Sequence, residues 1–222
     1  MTRGAELDIE KLLKDFDAPV TAFDCGQLCA PANGGVPVCC ESSGVIPVLY
    51  KSEFNLLQKR SDLWQAFKPS CKEEKELVDD HGDYQLAVCT KSCFSERDNR
   101  SLNCRSFPFL PYFDHDSDIV GLVYDYEAAE GKCPLVNLPQ TVTKEYIAQA
   151  VSFWQAVSAF DTDEMEFYRA ESKGLRKRQR RMGEPVMVLV EAGVLSYPTR
   201  RSEWSAISES GEELPLTPYD RP

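Results

Sequence analysis

Nine cysteines are the residues of this 222-residue chain whose type and number most clearly indicate chemistry. Hydrophobic residues make up 42 % and charged residues 27 %, as in an ordinary globular protein, so the cysteines need an explanation of their own. Thiolates are the preferred ligands of zinc and of iron–sulfur clusters. The predicted metal ligands are Cys25, Cys29, Cys39, Cys40, Cys89, Cys93, Cys104 and Cys133.

These eight cysteines fall into two groups. The first, in residues 25–40, has the spacing C-x3-C-x9-CC, and the second, in residues 89–104, has C-x3-C-x10-C, with Cys133 further along. Zinc sites commonly use C-x2-4-C pairs, and four-cysteine iron–sulfur clusters accept varied spacings. The spacing of the cysteines therefore does not distinguish zinc from an iron–sulfur cluster. Eight thiols would serve two tetrathiolate sites, or one cluster with the remaining thiols redox-active or structural. The ninth, Cys71, lies in a Lys/Glu-rich stretch outside the predicted set.

A disulfide framework is the alternative explanation for the cysteines. Three observations disfavour disulfides: the number of cysteines is odd, the N-terminal residues lack the apolar stretch of an export signal, and cytosolic thiols rarely stay paired. The neighbours Cys39 and Cys40 could bridge each other only under strain. Concentrated thiolates repel one another, so we expect a bound cation to be part of the fold.

The segment Cys104-Arg105-Ser106-Phe107-Pro108-Phe109 follows a vicinal cysteine pair and precedes Cys133-Pro134. In this order the segments resemble the bacterial CxxCxxxCC family, described as zinc- or iron-chelating proteins, whose matching motif is C-R-x-[FY]-P-F. The similarity covers roughly residues 20–135. The resemblance implies that the cysteines hold an iron–sulfur cluster, with the 4Fe–4S type favoured, or zinc. Some relatives resemble flagellin lysine N-methylases, which implies methyl transfer to a protein as an alternative function.

Three functions therefore remain open. The first is a metal-binding protein with a redox or electron-transfer role if the metal is iron. The second is a methyltransferase-like enzyme, although the chain has no recognisable methyl-donor motif. The third is a zinc-stabilised interaction module that docks through helices in residues 144–181. P-loop, G-x-G-x-x-G and G-x-S-x-G motifs do not occur, so the sequence does not predict nucleotide-dependent or classical hydrolase chemistry.

Other groups near the cysteines have two interpretations each. His81 and His115 are the only histidines, and Asp114-His115-Asp116 would ligate a hard metal, move a proton, or simply form an exposed turn. The aromatic and proline residues of 107–113 would form core or shield a cluster from water. Arg105 would offset thiolate charge or form a surface salt bridge.

The charge and hydropathy of the chain bear on its partners and location. The formal net charge of -11 predicts no nonspecific nucleic-acid binding, because such binding depends on Lys and Arg. The basic run in residues 173–181 is the exception, and we expect it to be a solvated helix end. No apolar run reaches the ~20 residues needed to cross a bilayer. We expect a cytoplasmic protein without membrane contact, and the sequence identifies no protein partner.

The elements around the cysteines predict an α+β fold, a small metal-stabilised domain of loops, short strands and packed helices. Residues 18–44 are rich in Pro and Gly and are predicted to be loop. Hydrophobic spacing predicts helices at residues 6–16, from Ser52 to about Phe67, from Thr143 and from Asp161. The last of these begins with a capping box formed by Asp161 and Glu164. Short runs of β-favouring residues predict strands at 84–88, 119–126 and 185–190. The expected segments are an N-terminal helix (1–17), the cysteine-cluster domain (18–140), a helical and strand extension packed on it (141–207) and a flexible tail (208–222).

Overall fold

The computed structural model describes residues 7–40, 46–82, 84–90, 96–114, 118–125, 132–197, 205–208 and 212–215. Within these residues the fold is α+β, as the sequence predicts, with helices packed on two antiparallel sheets. The helices are α1 (Ile9–Asp15), α2 (Gly26–Cys29), α3 (Lys51–Arg60), α4 (Lys72–Asp80), α5 (Leu102–Ser106), α6 (Lys144–Ser158) and α7 (Thr162–Met182). Short 3-10 turns cover Ala30–Ala32, Val38–Cys40, Arg97–Asn99, Pro134–Asn137 and Pro139–Thr141.

The strands form a small and a large sheet. The strands are β1 (Val48–Tyr50), β2 (Trp64–Ala66), β3 (Tyr84–Cys89), β4 (Phe109–Phe113), β5 (Ile119–Tyr124), β6 (Val186–Val190), β7 (Gly193–Tyr197), β8 (Ser205–Ile207) and β9 (Glu213–Pro215). The small sheet has the order β1-β3-β2, and the large sheet is a meander of β4 to β9 in sequence order. Helix α6 packs on β5 and α7 packs on β4, so the main core lies between these helices and the large sheet.

The two long helices begin where the sequence predicts. Thr143 caps α6 by accepting a hydrogen bond from the Tyr146 N–H, at 3.2 Å. Asp161 caps α7 by accepting from the Glu164 N–H, at 2.9 Å, and α7 ends at Gly183 with a left-handed φ of 76°. No helix among the described residues is both long enough and apolar enough to cross a membrane.

The predicted second helix differs from the structure at both ends. Helix α3 begins at Lys51 directly after β1, so Ser52 lies inside the first turn and the predicted N-cap is wrong. The helix ends at Arg60, and Trp64–Ala66 forms strand β2 instead of a further helical turn. Pairing with β3 satisfies the backbone there and places Trp64 in the core, which outweighs the helical spacing of the apolar residues.

The predicted strands near residues 84, 119 and 186 are confirmed, although residue 126 lies outside the described residues. Strands β1, β4, β7 and β8 and helix α4 are elements that the sequence analysis did not identify. Strand β9, which pairs with β8, lies in the segment 208–222 for which a flexible tail is expected. Residues 216–222 lie outside the described residues. Gly121 allows β5 to approach β6, because a Cβ there would lie 2.5 Å from the Leu189 carbonyl oxygen.

Candidate metal centre

Five of the eight predicted ligand cysteines line one cavity of about 70 Å³. They come from three separate parts of the chain: the α2 turn and the turn after it, helix α5, and the residue before the turn Pro134–Asn137. These cysteines are Cys25, Cys29, Cys39, Cys104 and Cys133. The fold therefore gathers thiols that are up to about a hundred positions apart in sequence.

The N-terminal side of the cavity is a compact turn around α2. Cys25 precedes the helix and Cys29 ends it, with the Cys29 thiol 3.6 Å from the Gly26 carbonyl oxygen, to which it donates. Gly26 packs against Pro37, whose Cγ would lie only 2.9 Å from a Cβ at position 26. The absence of a side chain at Gly26 thus lets the two cysteine-bearing turns approach each other.

The chain leading into this turn is fixed to helix α6 and its N-cap residue Thr143. The backbone N–H groups of Asp17 and Ala18 both donate to the Gln149 side-chain oxygen, at 2.9 and 2.7 Å. Thr143 donates from its N–H to the Val20 carbonyl, at 2.8 Å. These bonds hold residues 17–20 against helix α6, and Asp17, Ala18 and Val20 of this segment also line the cavity.

Cys104 lies on α5, a helix of five residues that would not be stable in isolation. Its N-terminus is satisfied by two buried side chains. The Ser101 hydroxyl accepts from the Cys104 N–H, at 3.2 Å, and a Glu53 carboxylate oxygen accepts from the Leu102 N–H, at 2.6 Å. Glu53 is only 1 % exposed, and burial raises its pKa to about 7, despite the backbone N–H donors of Leu102 and Tyr50.

Arg105 ties α5 to the rest of the structure from inside. Its side chain is 8 % exposed and donates to the carbonyl oxygens of Leu13 (2.7 Å), Phe16 (2.6 Å), Asp98 (2.8 Å) and Arg100 (3.1 Å). A carboxylate oxygen of Asp17 lies 4.0 Å away. The guanidinium is thus a buried clamp on backbone carbonyls at the cavity wall rather than the surface salt bridge that one interpretation of the sequence suggested.

Two tyrosines fix the remaining backbone at the cavity. The Tyr146 hydroxyl donates to the carbonyl oxygens of Ser106 and Arg105, at 2.8 and 3.0 Å, and Tyr146 is 1 % exposed. The Tyr124 hydroxyl donates to the Cys133 carbonyl, at 3.2 Å, so the buried Cys133 is also held in place.

Two thiols of the cavity, those of Cys25 and Cys133, are poorly solvated. Burial raises the pKa of Cys25, with Asp24 and Cys29 nearby acting in the same direction and a hydrogen bond with Thr21 opposing them. Burial also raises the pKa of Cys133, with smaller contributions from Cys25 and Cys29. These two thiols are therefore neutral near pH 7 unless a cation offsets the cost of ionising them.

The other predicted ligands do not line this cavity. Cys40 is half-buried, with its sulfur 3.9 Å from that of Cys39, and Cys89 is half-buried at the end of β3, opposite Trp64. Cys93 lies outside the described residues. No group of three or more His, Cys, Asp or Glu side chains among the described residues stands at metal-binding distance, and no disulfide joins the eight described cysteines.

The remaining candidates lie apart from the cavity. Cys71 is exposed at the start of α4, and the His81 ring Nδ1 is 2.9 Å from the Leu77 carbonyl oxygen at the end of the same helix. His115 and Asp116 lie outside the described residues.

Sequence reasoning missed Glu53, although its position beside the apolar residues Phe54 and Leu57 of α3 is a usable signal for a buried carboxylate.

Comparison with known proteins returned no match, either to a family model, to a curated protein or to a solved structure. The resemblance to the CxxCxxxCC family therefore stays a prediction from the motifs of the sequence.

Proposed function

We propose that this protein binds a thiophilic metal, as zinc or as an iron–sulfur cluster, in the cavity lined by five cysteines. The observation that carries the proposal is the convergence of thiols from three distant chain segments on one cavity. Four sulfur ligands complete a structural zinc site or hold a 4Fe–4S cluster, so the donor set fits either group. The motif resemblance to the CxxCxxxCC family points the same way.

The proposed ligands are Cys25, Cys29, Cys104 and Cys133. Cys29 and Cys133 are buried and Cys25 and Cys104 are half-buried, whereas Cys39 is exposed. A fifth thiol at the exposed side would be available for exchange with a ligand or for redox chemistry. Because no three of these thiols stand together at metal-binding distance, metal binding requires them to move closer to one another.

The charges on the cavity wall support a thiolate site. Arg97, Arg100 and Arg105 line it together with a single carboxylate, that of Asp17. While the thiols are protonated, the three positive charges and one negative charge give the lining side chains a net formal charge of +2. A divalent zinc ion with four thiolates carries a net charge of about −2. Metal binding would therefore neutralise the wall, and the wall would stabilise the thiolates.

The surroundings also bear on what the site does. Val38, Phe107, Pro108 and Leu135 add apolar cover to the lining, and apolar cover and backbone dipoles tune the potential of an iron–sulfur cluster. An iron–sulfur cluster would supply one-electron transfer there, and zinc would supply stability.

Reduced thiols in this number suit a reducing compartment such as the cytoplasm. The methyltransferase-like and interaction-module functions stay predictions from the sequence.

Elemental analysis with an absorption spectrum, on protein purified without oxygen, tests the proposal. Iron with about four labile sulfides per chain indicates one cubane cluster, and about one zinc without colour indicates a structural site. Protein that contains neither metal in stoichiometric amount, and takes up neither on reconstitution, contradicts the proposal.

Serine variants locate the site. Cys104→Ser and Cys133→Ser are expected to lose the metal, whereas the matched control Cys71→Ser, an exposed cysteine away from the cavity, is expected to retain it. Far-UV circular dichroism on each variant separates loss of a ligand from loss of the fold. Retention of metal by both cavity variants, in folded protein, places the site elsewhere.

A further inference from the structure

A second cavity, of about 450 Å³, lies beside the first and is not explained by the proposed metal site. Its volume is in the range, about 300–1,000 Å³, of clefts that bind small organic molecules. Phe107 and Pro108 line both cavities, so the groove and the cysteine cavity share part of a wall. The groove runs between α7 and the segment formed by α5, β4 and the end of β5.

The groove combines aromatic surface with carboxylates. The half-buried Phe107 contributes to its lining, and Phe167 of α7 lines it while remaining 59 % exposed. Asp125 and Glu171 also line it. This lining favours a flat, apolar group that carries hydrogen-bond donors, and it disfavours an anion inside the groove.

Cations continue from the groove along the second half of α7. Residues 173–181 hold six Lys or Arg residues and no Asp or Glu. Arg178 lines the groove, Arg181 follows three positions later, and Lys177 lies four positions before Arg181, so the three are neighbours on the helix surface. Lys173, Lys177 and Arg181 are exposed.

One cation of this run has a structural role instead. Arg176 donates to the Phe113 carbonyl oxygen and lies over the Tyr112 ring, 5.5 Å from its centre. The basic face is therefore formed by the other cations of the run, and Arg178, which belongs to the face and also lines the groove, joins the two.

We propose that the groove and the basic face together bind single-stranded nucleic acid, with a base in the groove and the phosphates on the face. Cationic surface that tracks a backbone beside aromatic side chains that stack with bases is the general design of such sites. The carboxylates of Asp125 and Glu171 exclude phosphate from the groove and can accept hydrogen bonds from the amino groups of bases.

The net charge of the whole chain does not exclude this site. Charges more than ~8 Å apart are largely screened at physiological ionic strength, so the phosphates respond mainly to the cations of the face. An acidic protein segment fits less well, because it lacks the flat donor-bearing groups for the groove and would meet two carboxylates there. The site does not depend on the proposed metal function, so either can fail without the other.

Fluorescence anisotropy with a labelled single-stranded RNA 12-mer of mixed sequence, measured across 50–200 mM salt, tests the proposal. The protein is expected to bind saturably with a clear salt dependence. Each phosphate contact contributes a slope of about −0.7 in a plot of log K against log salt for single strands. The variant Lys173→Gln/Lys177→Gln/Arg181→Gln is expected to reduce that slope by about 2.

Phe167→Ala tests the groove separately from the charges. Loss of one stacked base is expected to weaken binding by about 5-fold to 150-fold, with the salt slope unchanged. The matched control Lys59→Gln/Lys72→Gln/Lys75→Gln removes the same charge from exposed positions on α3 and α4, and it should leave the slope unchanged.

Four results would overturn the proposal. Three of them are no saturable binding at 50 mM salt, an equal loss of slope in the α7 variant and its control, and binding that Phe167→Ala does not weaken. The fourth is polyglutamate that binds as tightly as the RNA, which would assign the face to an acidic protein.

Discussion

The two sides of the cysteine cavity are built in different ways. Around Cys104, the supporting hydrogen bonds join residues far apart in sequence: Glu53 to Leu102, Arg105 to Leu13, and Tyr146 to Ser106 span 49, 92 and 40 positions. Around Cys25 and Cys29, the side-chain hydrogen bonds of the turn span two to four positions. One side is thus fixed by the whole fold and the other by local turns.

This difference indicates which side a metal would order. Buried carboxylate, guanidinium and tyrosine groups are costly unless their hydrogen bonds are made, so the Cys104 side can hold essentially one arrangement. The turn of residues 25–40 is rich in Gly and Pro and relies on short-range bonds, so it can adjust to a ligand. We infer that the fold presents Cys104 and Cys133, and that metal binding draws Cys25 and Cys29 to them.

Removal of the Arg105 side chain should have the largest effect on the fixed side. Arg105→Ala leaves four backbone carbonyls without their donor, and we expect the free energy of unfolding to fall by about 3–5 kcal/mol. Urea denaturation followed by tryptophan fluorescence measures this. The control Arg97→Ala, at a side chain that is 43 % exposed, should cost about 1 kcal/mol or less. Equal losses in both variants would mean that Arg105 is not the central support.

The pH dependence of stability should report Glu53. Its pKa is about 7 in the folded protein against an ordinary value of 4.5, so the folded state holds the proton more tightly. This contribution to stability is fully present below about pH 4.5 and is lost as the pH rises through about 7, by roughly 3 kcal/mol in all. Glu53→Gln keeps an acceptor for the Leu102 N–H and should flatten this decline.

Urea midpoints at pH 5 and pH 8, with a chelator present, measure the effect of Glu53. Burial also raises the pKa of Glu164, which contributes a decline of the same sign that stays in the variant. The exposed Glu166→Gln is the matched control and should behave as the unchanged protein. Identical pH slopes in the Glu53 variant and the unchanged protein would show that Glu53 does not titrate as expected.

Hydrogen exchange compares the two sides directly. Addition of metal should slow exchange in residues 25–40 by about tenfold or more, which corresponds to ~1.4 kcal/mol, while residues 102–106 should change less. Mass spectrometry of peptides from the metal-loaded and chelator-treated protein measures both segments in one experiment. A larger change around Cys104 would reverse the assignment of the fixed and adjustable sides.

The smallest effect is expected at Cys71, which belongs to neither side. Its side chain is exposed at the start of α4, so Cys71→Ser should change the free energy of unfolding by no more than about 0.5 kcal/mol and leave metal content unchanged. Urea denaturation and elemental analysis check this. A large loss of metal would add Cys71 to the ligand set.

Sequence reasoning succeeds where a local signal decides the structure. Thr143 and Asp161 begin their helices because a side chain caps the first turn, and strands β3, β5 and β6 follow from short runs of β-favouring residues. It fails at Trp64–Ala66, since the apolar spacing fits a helix and only pairing with β3, a partner some twenty positions away, selects the strand.

The candidate site is predictable in composition but not in arrangement. The cysteine spacing identifies the residue types and two groups, whereas the cavity takes Cys25, Cys29 and Cys39 from the first group and Cys104 from the second, together with Cys133. Cys89 lies outside it because β3 directs that end of the strand toward Trp64 of β2. The roles of Glu53 and Arg105 depend on contacts across 49 and 92 positions, which no local pattern encodes.

X-ray absorption spectroscopy at the edge of the bound metal shows whether the cysteines hold it, because the spectrum reports the ligand atoms and their distances. We expect a coordination shell of about four sulfur atoms, at ~2.3 Å if the metal is zinc. A shell dominated by oxygen or nitrogen atoms would contradict it and would show that the cysteine cavity is not the metal site.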